Sequence, residues 1–473
     1  MPFKDVREFI DKLEEEKELK RIEEEVDWNL EAGAMIRRAA EAGLPALLFE
    51  KIKDYPKGYR LCGGLGANYR RLAITMDMAP DTHPGEIIEE HICRKQQPIK
   101  PTLVSDGPCK ENIQIGSKVD LLGFPVPMIH IGDGGRYIGT WHLTINKDSG
   151  SDWVNWGMYR HMLHNKNTVA MYAEGNHHGM QIFLRSYESR NKAMDIAIVI
   201  GVEPALTMAA TSPVPYGTSE VDIAGGIRGE PVELIKCETI DLAVPATAEI
   251  VIEGEIRPYE RMDEGPFGEF SGYIAGLKEP RPVIHVKAVT HRNNPILTMS
   301  CPGEPADGDV INILGSLSEI LQIFRAKGLP VSGCGLIQPG GPIVVAIKNT
   351  YIGVVEDVAL AVWASPLGAI MPYLIIVEDD IDPFDPRQVI RAIVSQCNPS
   401  KGIVKLERAP AIHLTPWLDR HERETRMAAR VYFDCTWPLN WDPADVPTKI
   451  TFAKSYPPEV QQKVLALWRK YGY

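Results

Sequence analysis

The sequence lacks the short motifs that identify several common enzyme classes. Its eight cysteines are scattered and form no C-x-x-C pair, so a zinc ribbon and a thioredoxin-type redox site are excluded. No G-x-G-x-x-G follows a predicted strand and no G-x-x-x-x-G-K-[ST] occurs, which excludes the usual dinucleotide fingerprint and the P-loop. A nucleophilic serine elbow is also absent. Catalytic chemistry must therefore come from other side chains.

Positive charge is also in short supply. The chain has 51 Lys and Arg against 63 Asp and Glu, a net charge of -12, which argues against nucleic acid or an anionic membrane as the main partner. The N-terminus has no export signal, and unpaired cysteines suit a reducing compartment, so we expect a cytoplasmic protein. The uncharged stretch Val358–Val377 is broken by Pro366, Gly368 and Pro372, which favours a helix, a turn and a buried strand over a membrane span.

The hydrophobic pattern divides the chain into parts of different character. Residues 1–110 predict an α/β region, with helices over Val6–Glu23 and Leu30–Glu41. Residues 111–305 contain short β-rich runs that suggest a barrel or sandwich, although Arg160–Asn165 has helical periodicity. Residues 306–440 return to α/β, and residues 441–473 form a tail that ends in an apolar helix. Such a terminal helix usually packs on its own domain or on a partner subunit.

Two glutamates flank a constrained turn in the segment Asp263–Tyr273. Glu264 and Glu269 lie five residues apart across Gly-Pro-Phe-Gly. In this turn proline fixes its own φ angle, and the glycines can adopt φ angles that other residues disfavour. One reading is a solvated acidic turn. The other is a site that needs one proton donor and one charge partner. The segment Trp153–Arg160 favours the second reading, because it places the amide of Asn155 and the guanidinium of Arg160 among aromatic residues.

Four further features could carry chemistry or could be purely structural. His177 and His178 follow a strand-like run and could bind a metal or a substrate, or could be polar loop residues. The small-residue loop before Glu220 could bind a cation or phosphate, or could be a capped turn. Lys348 follows a predicted strand, at a common ligand position in α/β sheets, or is a solvated lysine. The acidic run Glu378–Asp385 could bind magnesium, but we favour aspartates that cap a turn and the next helix.

Taken in order, these features resemble one family across nearly the whole chain. The motifs are N-W-G-x-Y-R, H-H-G, S-P-V-P-x-x-x-S-E, E-G-P-F-G-E-x-x-G-Y and V-E-D-D-I-D-P-x-D. Together they are similar to those of UbiD-type decarboxylases, which use prenylated FMN. The resemblance implies an α/β (α+β) fold with a central flavin-reductase-like split β-barrel, flanking α/β regions and a C-terminal helix.

The resemblance also implies roles for particular residues. It assigns a divalent metal, manganese or magnesium, to Asn155, His178 and Glu220, and a potassium ion to Trp153, Ala209, Ala210 and Ser212 with Glu220. It assigns the cofactor to Asn155, Trp156, Arg160, His177, His178, Ser212, Pro213, Glu220 and Lys348. It assigns catalysis to Arg160, Glu264 and Glu269, with Glu269 as the proton donor, and the substrate to His177, Leu314 and Tyr351.

The resemblance implies a carboxy-lyase that reversibly decarboxylates a small aromatic or heteroaromatic acid of the hydroxybenzoate, indole or pyrrole type, with CO₂ as the other product. A UbiX-type flavin prenyltransferase would supply the cofactor, and a homodimer or a larger assembly of dimers is expected. His177 motivates the polar ring, because an imidazole can accept a hydrogen bond from a hydroxyl or N–H group. The alternatives are a cinnamic-type acid as substrate, or a metallohydrolase that uses His178 and Glu220.

Overall fold

The structure is a computed structural model that describes residues 3–275, 277–308, 310–337, 341–365, 368 and 370–472. Besides short 3-10 turns and one π-helical turn, the structure describes α-helices at Val6–Glu15, Glu31–Glu41, Tyr69–Thr75, Pro84–Lys95, His178–Ile182, Pro204–Thr211, Glu220–Arg228, Val310–Ala326, Val354–Trp363, Pro386–Gln396, Arg420–Thr425, Phe452–Ser455 and Pro458–Leu467. The strands, numbered in chain order, are β1 (Leu19–Val26), β2 (Ala46–Ile52), β3 (Arg60–Gly63), β4 (Thr102–Leu103), β5 (Asn112–Ile115), β6 (Tyr137–Gly139), β7 (His142–Lys147), β8 (Val154–Gly157), β9 (Arg160–Asn165), β10 (Thr168–Tyr172), β11 (Met194–Ile200), β12 (Glu233–Lys236), β13 (Ala243–Pro245), β14 (Ile250–Glu264), β15 (Phe267–Gly268), β16 (Ile274–Ala275), β17 (Glu279–His291), β18 (Ile296–Met299), β19 (Val331–Leu336), β20 (Ile343–Ile347), β21 (Tyr373–Glu378), β22 (Ile403–Pro410) and β23 (Met427–Cys435).

The central sheet has nine strands and curls into an open half-barrel. Its strands follow the order β6-β9-β10-β17-β14-β11-β7-β8, and β5 also pairs with β17. The long strands β14 and β17 pair along almost their whole length, from Ile250 opposite His291 to Glu264 opposite Glu279. The path begins at β6 and ends at β8, so the barrel is split. The predicted class, α/β with a central split β-barrel, is confirmed.

Two smaller sheets flank the barrel. The N-terminal sheet has the order β1-β2-β3-β18, and the C-terminal sheet has the order β19-β20-β21-β23-β22. The helix Val310–Ala326 joins these parts, because one apolar cluster contains its buried face, barrel residues and the inner face of the C-terminal sheet. Apolar side chains on both sides of this helix hold the flanking sheets against the barrel.

Two local predictions were wrong. The first helix ends at Glu15 instead of Glu23, and β1 follows after Lys17, whose φ is 61°. Leu19 and Val26 are buried at the ends of β1 and the charges lie between them, on an edge strand of the sheet. Arg160–Asn165 is strand β9 instead of a helix, and it pairs along its length with β10. Six residues are too few for a stable helix, whereas a strand of that length gains a hydrogen-bonded neighbour.

The acidic run and the C-terminal helix have simple structural descriptions. Asp385 caps the helix Pro386–Gln396 by accepting from the N–H groups of Arg387 and Gln388, which confirms the capping interpretation. The helix Pro458–Leu467 has no buried residue in this single chain, and Leu465 is 62% exposed. Within the described part of the chain, no helix is long and apolar enough to cross a membrane. Pro366 of the predicted turn lies outside the described residues.

Candidate active site

Arg160, the first residue of β9, lies between the two glutamates of the Gly-Pro-Phe-Gly segment. Its Nε and Nη2 atoms donate to Oε1 and Oε2 of Glu264 at 2.8 and 2.9 Å. Its Nη1 atom contacts Oε1 of Glu269. Glu264 and Glu269 are 1% and 7% exposed, so both carboxylates are largely removed from water. Glu264 therefore holds the guanidinium at two points and Glu269 at one.

The charge of Arg160 is secured by these contacts. Burial alone lowers the pKa of Arg160, but the hydrogen bonds and charge of Glu264 outweigh burial and raise it above the ordinary arginine value. The hydroxyl of Tyr137 donates to Glu264 Oε1 at 2.8 Å, so both oxygens of Glu264 accept hydrogen bonds. A permanently charged, buried guanidinium can hold a carboxylate, and Glu269 is the less restrained of the two acids.

The backbone explains why the two glutamates converge. Glu264 is the last residue of β14, and the chain then turns so that β15 pairs with β16. Gly265 makes this turn with a φ of 84°, a conformation that side chains disfavour. The N–H of Gly268 donates to Asp133 Oδ1 at 2.8 Å, which anchors the segment to the loop before β6. The turn thereby brings Glu269 back toward Arg160.

A second cluster contains three of the residues expected to bind metal. The helix Glu220–Arg228 begins with Glu220, whose Oε2 accepts from the N–H of Trp156 in β8 at 3.1 Å. His178 Nδ1 lies 3.9 Å from Glu220 Oε1. Asn155 is 1% exposed, and its Nδ2 donates to Asn146 Oδ1 at 2.9 Å, which leaves its carbonyl oxygen as the atom able to bind a cation.

The donor set fits a hard divalent cation. Burial raises the pKa of Glu220 above its usual value, although His178 and the N–H of Trp156 oppose this shift. A carboxylate in that setting gains from a full positive charge nearby. Among the described residues no group of three His, Cys, Asp or Glu could hold a metal, and the third member of this set is the amide of Asn155. Carboxylate and amide oxygens suit manganese and magnesium alike, and the imidazole nitrogen favours the transition metal, manganese.

Tyr159 links the two clusters and was missed by the sequence analysis. Its ring stacks on His177 with centroids 5.4 Å apart, and its hydroxyl accepts from the N–H of Gly179 at 3.1 Å. The Asn155 side chain also hydrogen-bonds this hydroxyl. Tyr159 directly precedes Arg160 in the chain, so the N-W-G-x-Y-R motif contained it. Nothing in that spacing, however, pointed to a contact with His177.

His177 has one nitrogen already in use. Its Nδ1 accepts from the N–H of Glu174 at 3.2 Å. His177 is exposed, but the groups packed around its ring, Tyr159 among them, desolvate the ring and lower its pKa. The ring is therefore neutral near pH 7 and carries its proton on Nε2. This differs from the prediction that His177 accepts from the substrate, because the remaining nitrogen is a donor.

The residues expected around potassium lie at the end of the helix Pro204–Thr211. Ala209 and Ala210 are buried in its last turn, and Ser212 donates through Oγ to the carbonyl of Met208 at 2.8 Å. The indole of Trp153 donates to the carbonyl of Thr218 at 2.7 Å and meets the His178 ring edge-on. The Pro213 carbonyl accepts from Lys95 at 3.1 Å. Trp153 therefore lies beside the metal cluster, and the Ser212 hydroxyl and the Pro213 carbonyl are already paired with other groups of the chain.

Lys348, Leu314 and Tyr351 stand apart from these contacts. Lys348 follows β20 and is exposed, and the Tyr351 hydroxyl donates to Asp357 at 2.9 Å. Leu314 is fully buried on the helix Val310–Ala326. Within the described chain no hydrogen bond or ion pair joins Lys348 or Tyr351 to Arg160 or the metal cluster. Their roles stay predictions.

Comparison with known proteins gives matches over nearly the entire chain. Three family models match: the 3-octaprenyl-4-hydroxybenzoate carboxy-lyase N-terminal domain over residues 10–90, the Rift-related domain over residues 102–305, and the C-terminal domain over residues 329–435. Pyrrole-2-carboxylic acid decarboxylase of Pseudomonas aeruginosa is 32% identical, with 99% of this chain and 98% of that protein covered. Ferulic acid decarboxylase 1 of Saccharomyces cerevisiae is also 32% identical, with coverage of 100% and 99%.

Comparison with solved structures gives the same result as the sequence comparisons. The UbiD-class enzyme HmfF from Pelotomaculum thermopropionicum, in complex with FMN, is 30% identical with a TM-score of 0.85, covering 98% of this chain and 99% of that one. Vanillic acid decarboxylase of Sedimentibacter hydroxybenzoicus in closed form is 29% identical with a TM-score of 0.88, covering 99% of each chain.

Proposed function

Because the chain belongs to the UbiD family of carboxy-lyases, we propose that it reversibly decarboxylates a small aromatic or heteroaromatic acid with prenylated FMN. The single observation that carries this proposal is the buried Arg160 held by Glu264 and touching Glu269. This arrangement offers a fixed cation for a carboxylate and an acid that can give the replacing proton. The acids named for the relatives are of the pyrrole, cinnamic and hydroxybenzoate types.

The cofactor would supply a covalent electron sink for the carbanion that loss of CO₂ leaves on an sp² carbon. Asn155, His178 and Glu220 would hold its phosphate through manganese or magnesium, and Lys348 would reach the same phosphate. Trp156, Ser212 and Pro213 would line the flavin, and Trp153, Ala209, Ala210 and Ser212 would offer oxygens to potassium. The buried Glu220 beside His178 supports the metal proposal, because it brings a carboxylate oxygen within 3.9 Å of an imidazole nitrogen in a place from which water is largely excluded.

The three ionic residues would have separate tasks. Arg160 would orient the substrate carboxylate, and Glu264 would fix Arg160 through its two hydrogen bonds. Glu269 would donate the proton that replaces CO₂, since only one guanidinium nitrogen restrains it. Exclusion of water from this buried group strengthens each of these interactions.

His177 would select among aromatic acids. Its Nε2–H is a donor while Nδ1 accepts from Glu174, so it favours a ring that presents an acceptor, such as a phenolic oxygen. A pyrrole or indole N–H would require the other tautomer and the loss of the Glu174 hydrogen bond. Hydroxybenzoates should therefore be turned over faster than pyrrole-type acids of similar size and faster than unsubstituted cinnamate, whose ring offers no acceptor.

The His177 proposal is tested by competition between acids. Wild type and His177→Gln are compared on 4-hydroxybenzoate, pyrrole-2-carboxylate and cinnamate, with CO₂ release and deuterium exchange into the product as readouts. Glutamine can both donate and accept, so it should narrow the preference for hydroxybenzoate over pyrrole-2-carboxylate. An unchanged ranking, or cinnamate as the best acid for wild type, refutes the role of His177.

A cinnamic-type acid is the second candidate substrate, supported by the name of the yeast relative. The cofactor proposal is tested first. Protein made with and without a UbiX-type flavin prenyltransferase is compared by absorption spectrum, cofactor mass and CO₂ release. Activity should appear only with the prenylated flavin. Full activity of a colourless, metal-loaded protein would support the metallohydrolase alternative instead.

We further infer that the chain forms a homodimer or a larger assembly of dimers in the cytoplasm. The C-terminal helix carries Val460 and Leu465 on the surface of a single chain, and Trp468 just beyond it is 46% exposed. All eight cysteines are unpaired, as a reducing compartment requires. Light scattering of the full wild-type chain and of the Leu465→Lys variant measures the oligomeric state. A monomeric wild type contradicts it.

A further inference from the structure

Arg160 contacts a third fixed group besides the two glutamates. Its Cζ atom lies 3.9 Å from the ring centroid of Tyr172, the last residue of β10. Arg281 lies over the same ring at 4.6 Å. Glu264 fixes the edge of the Arg160 guanidinium and the Tyr172 ring fixes its plane. A shift of the Tyr172 ring would therefore move the Arg160 guanidinium.

The Tyr172 hydroxyl is held by a polar network that is partly buried and reaches the surface at Arg426. It donates to Glu174 Oε1 at 2.6 Å and lies 3.0 Å from His413 Nε2. His413 Nδ1 also lies 3.0 Å from Glu174 Oε1, and Arg426 Nη1 donates to Glu174 Oε2 at 2.9 Å. Glu174 is thus the shared centre of a tyrosine, a histidine and an arginine.

Glu174 is ionised in this network. Burial opposes its ionisation, but the hydrogen bonds from His413 and Tyr172 and the charges of His413 and Arg426 hold its pKa far below the usual range. Its contacts are accordingly charge-assisted, which makes them stronger than neutral hydrogen bonds.

The partners of Glu174 come from two distant parts of the chain. Tyr172 and Glu174 lie at the end of β10 in the barrel, whereas His413 and Arg426 belong to the segment 411–426 between β22 and β23. These contacts bridge 241 and 252 residues of sequence. The main-chain N–H of Glu174 also donates to His177 Nδ1. One residue therefore contacts the C-terminal segment, the support of Arg160 and the proposed substrate donor.

We propose that Glu174 is a positioning residue that couples the segment 411–426 to Arg160 and His177. When His413 and Arg426 are in contact with Glu174, Tyr172 lies against the Arg160 guanidinium and His177 keeps its donor tautomer. When they are not, the Tyr172 ring loses the hydroxyl contact that orients it against Arg160, and the main chain at Glu174, whose N–H holds His177, loses its side-chain anchor. This inference rests on the proposed function, because it takes Arg160 and His177 as parts of the active site.

The test compares Glu174→Gln and Tyr172→Phe with a matched control, Arg420→Ala. Arg420 lies in the same segment, its side chain is 93% exposed, and it pairs with the nearby Glu424 on the surface. We expect kcat to fall roughly 10- to 100-fold in both test variants, as misplaced catalytic groups do, with flavin content retained. Tyr172→Phe keeps the ring against Arg160 and removes only the hydroxyl, so it isolates the link to Glu174.

A second readout does not depend on turnover. Hydrogen exchange of the segment 411–426 in the resting enzyme should be faster in Glu174→Gln than in wild type or Arg420→Ala. The kcat of the double variant Glu174→Gln with Arg426→Met should be little lower than that of Glu174→Gln alone, because the two substitutions remove the same ion pair. Unchanged exchange together with wild-type kcat in Glu174→Gln overturns the coupling. A wild type without decarboxylase activity refutes the proposed function, while the exchange comparison still tests the coupling.

Discussion

Replacing Arg160 by lysine keeps the positive charge but removes the planar guanidinium group with its several donors. Arginine donates to both oxygens of Glu264, contacts Glu269 and lies against the Tyr172 ring. A lysine can reach only part of this set, because its ammonium is a single point charge. Loss of one charge-assisted hydrogen bond costs ~1.5–3 kcal/mol. Loss of the ring contact costs about 1–2 kcal/mol more.

These magnitudes give a measurable expectation for Arg160→Lys. A combined loss of about 2.5–5 kcal/mol corresponds to a decrease in kcat of roughly 70- to 5,000-fold. The assay is initial CO₂ release at saturating acid, with cofactor content measured on the same protein. Flavin and metal should stay bound, because Asn155, His178 and Glu220 do not contact Arg160 directly.

The matched control is Arg257→Lys. Arg257 lies on another strand of the same sheet, β14, its side chain is 49% exposed, and it pairs with Glu255 at 2.8 Å on the surface. Exposed pairs contribute little, so this control should keep wild-type activity and stability. If Arg160→Lys with full cofactor retains kcat within about threefold of wild type, the bidentate contact has no catalytic role, since even one lost hydrogen bond predicts a larger effect.

Three further predictions concern other parts of the molecule. Glu269→Gln should abolish turnover while retaining flavin and metal, measured by CO₂ release and absorption spectrum; substantial turnover identifies another acid as the donor. Glu220→Ala should instead lose metal and flavin together, measured by metal analysis of the purified protein; full metal content in this variant removes Glu220 from the ligand set. Glu203, buried beside Arg228, has its pKa raised to about 8 by desolvation, above its unfolded value of 4.5. Its protonated form therefore stabilises the fold fully below pH 4.5, and this contribution is lost as pH rises toward 8, by up to about 1.4 kcal/mol per pH unit. Glu203→Gln should flatten the fall in the free energy of unfolding between pH 5 and 8, and an unchanged profile contradicts the assignment.

The sequence by itself determined the motifs and the general architecture. The order and spacing of the motifs, which can be read directly from the sequence, predicted the family. The family resemblance in turn implied the split barrel. The strand predicted before Lys348 is β20, an uninterrupted apolar run whose five residues are all buried. The division into four parts with boundaries near residues 110, 305 and 440 stays a prediction.

Only the tertiary structure decided how the site residues meet. β1 and β9 were predicted as helices because charged edge strands and short strands give weak periodicity, and pairing with β2 and β10 settled their form. The contacts of Tyr137 with Glu264 and of His413 with Tyr172 join residues 127 and 241 positions apart, which no local pattern encodes. The tautomer of His177 likewise depends on one backbone N–H at 3.2 Å. Residue types come from the sequence, but hydrogen-bond direction requires the neighbours that folding supplies.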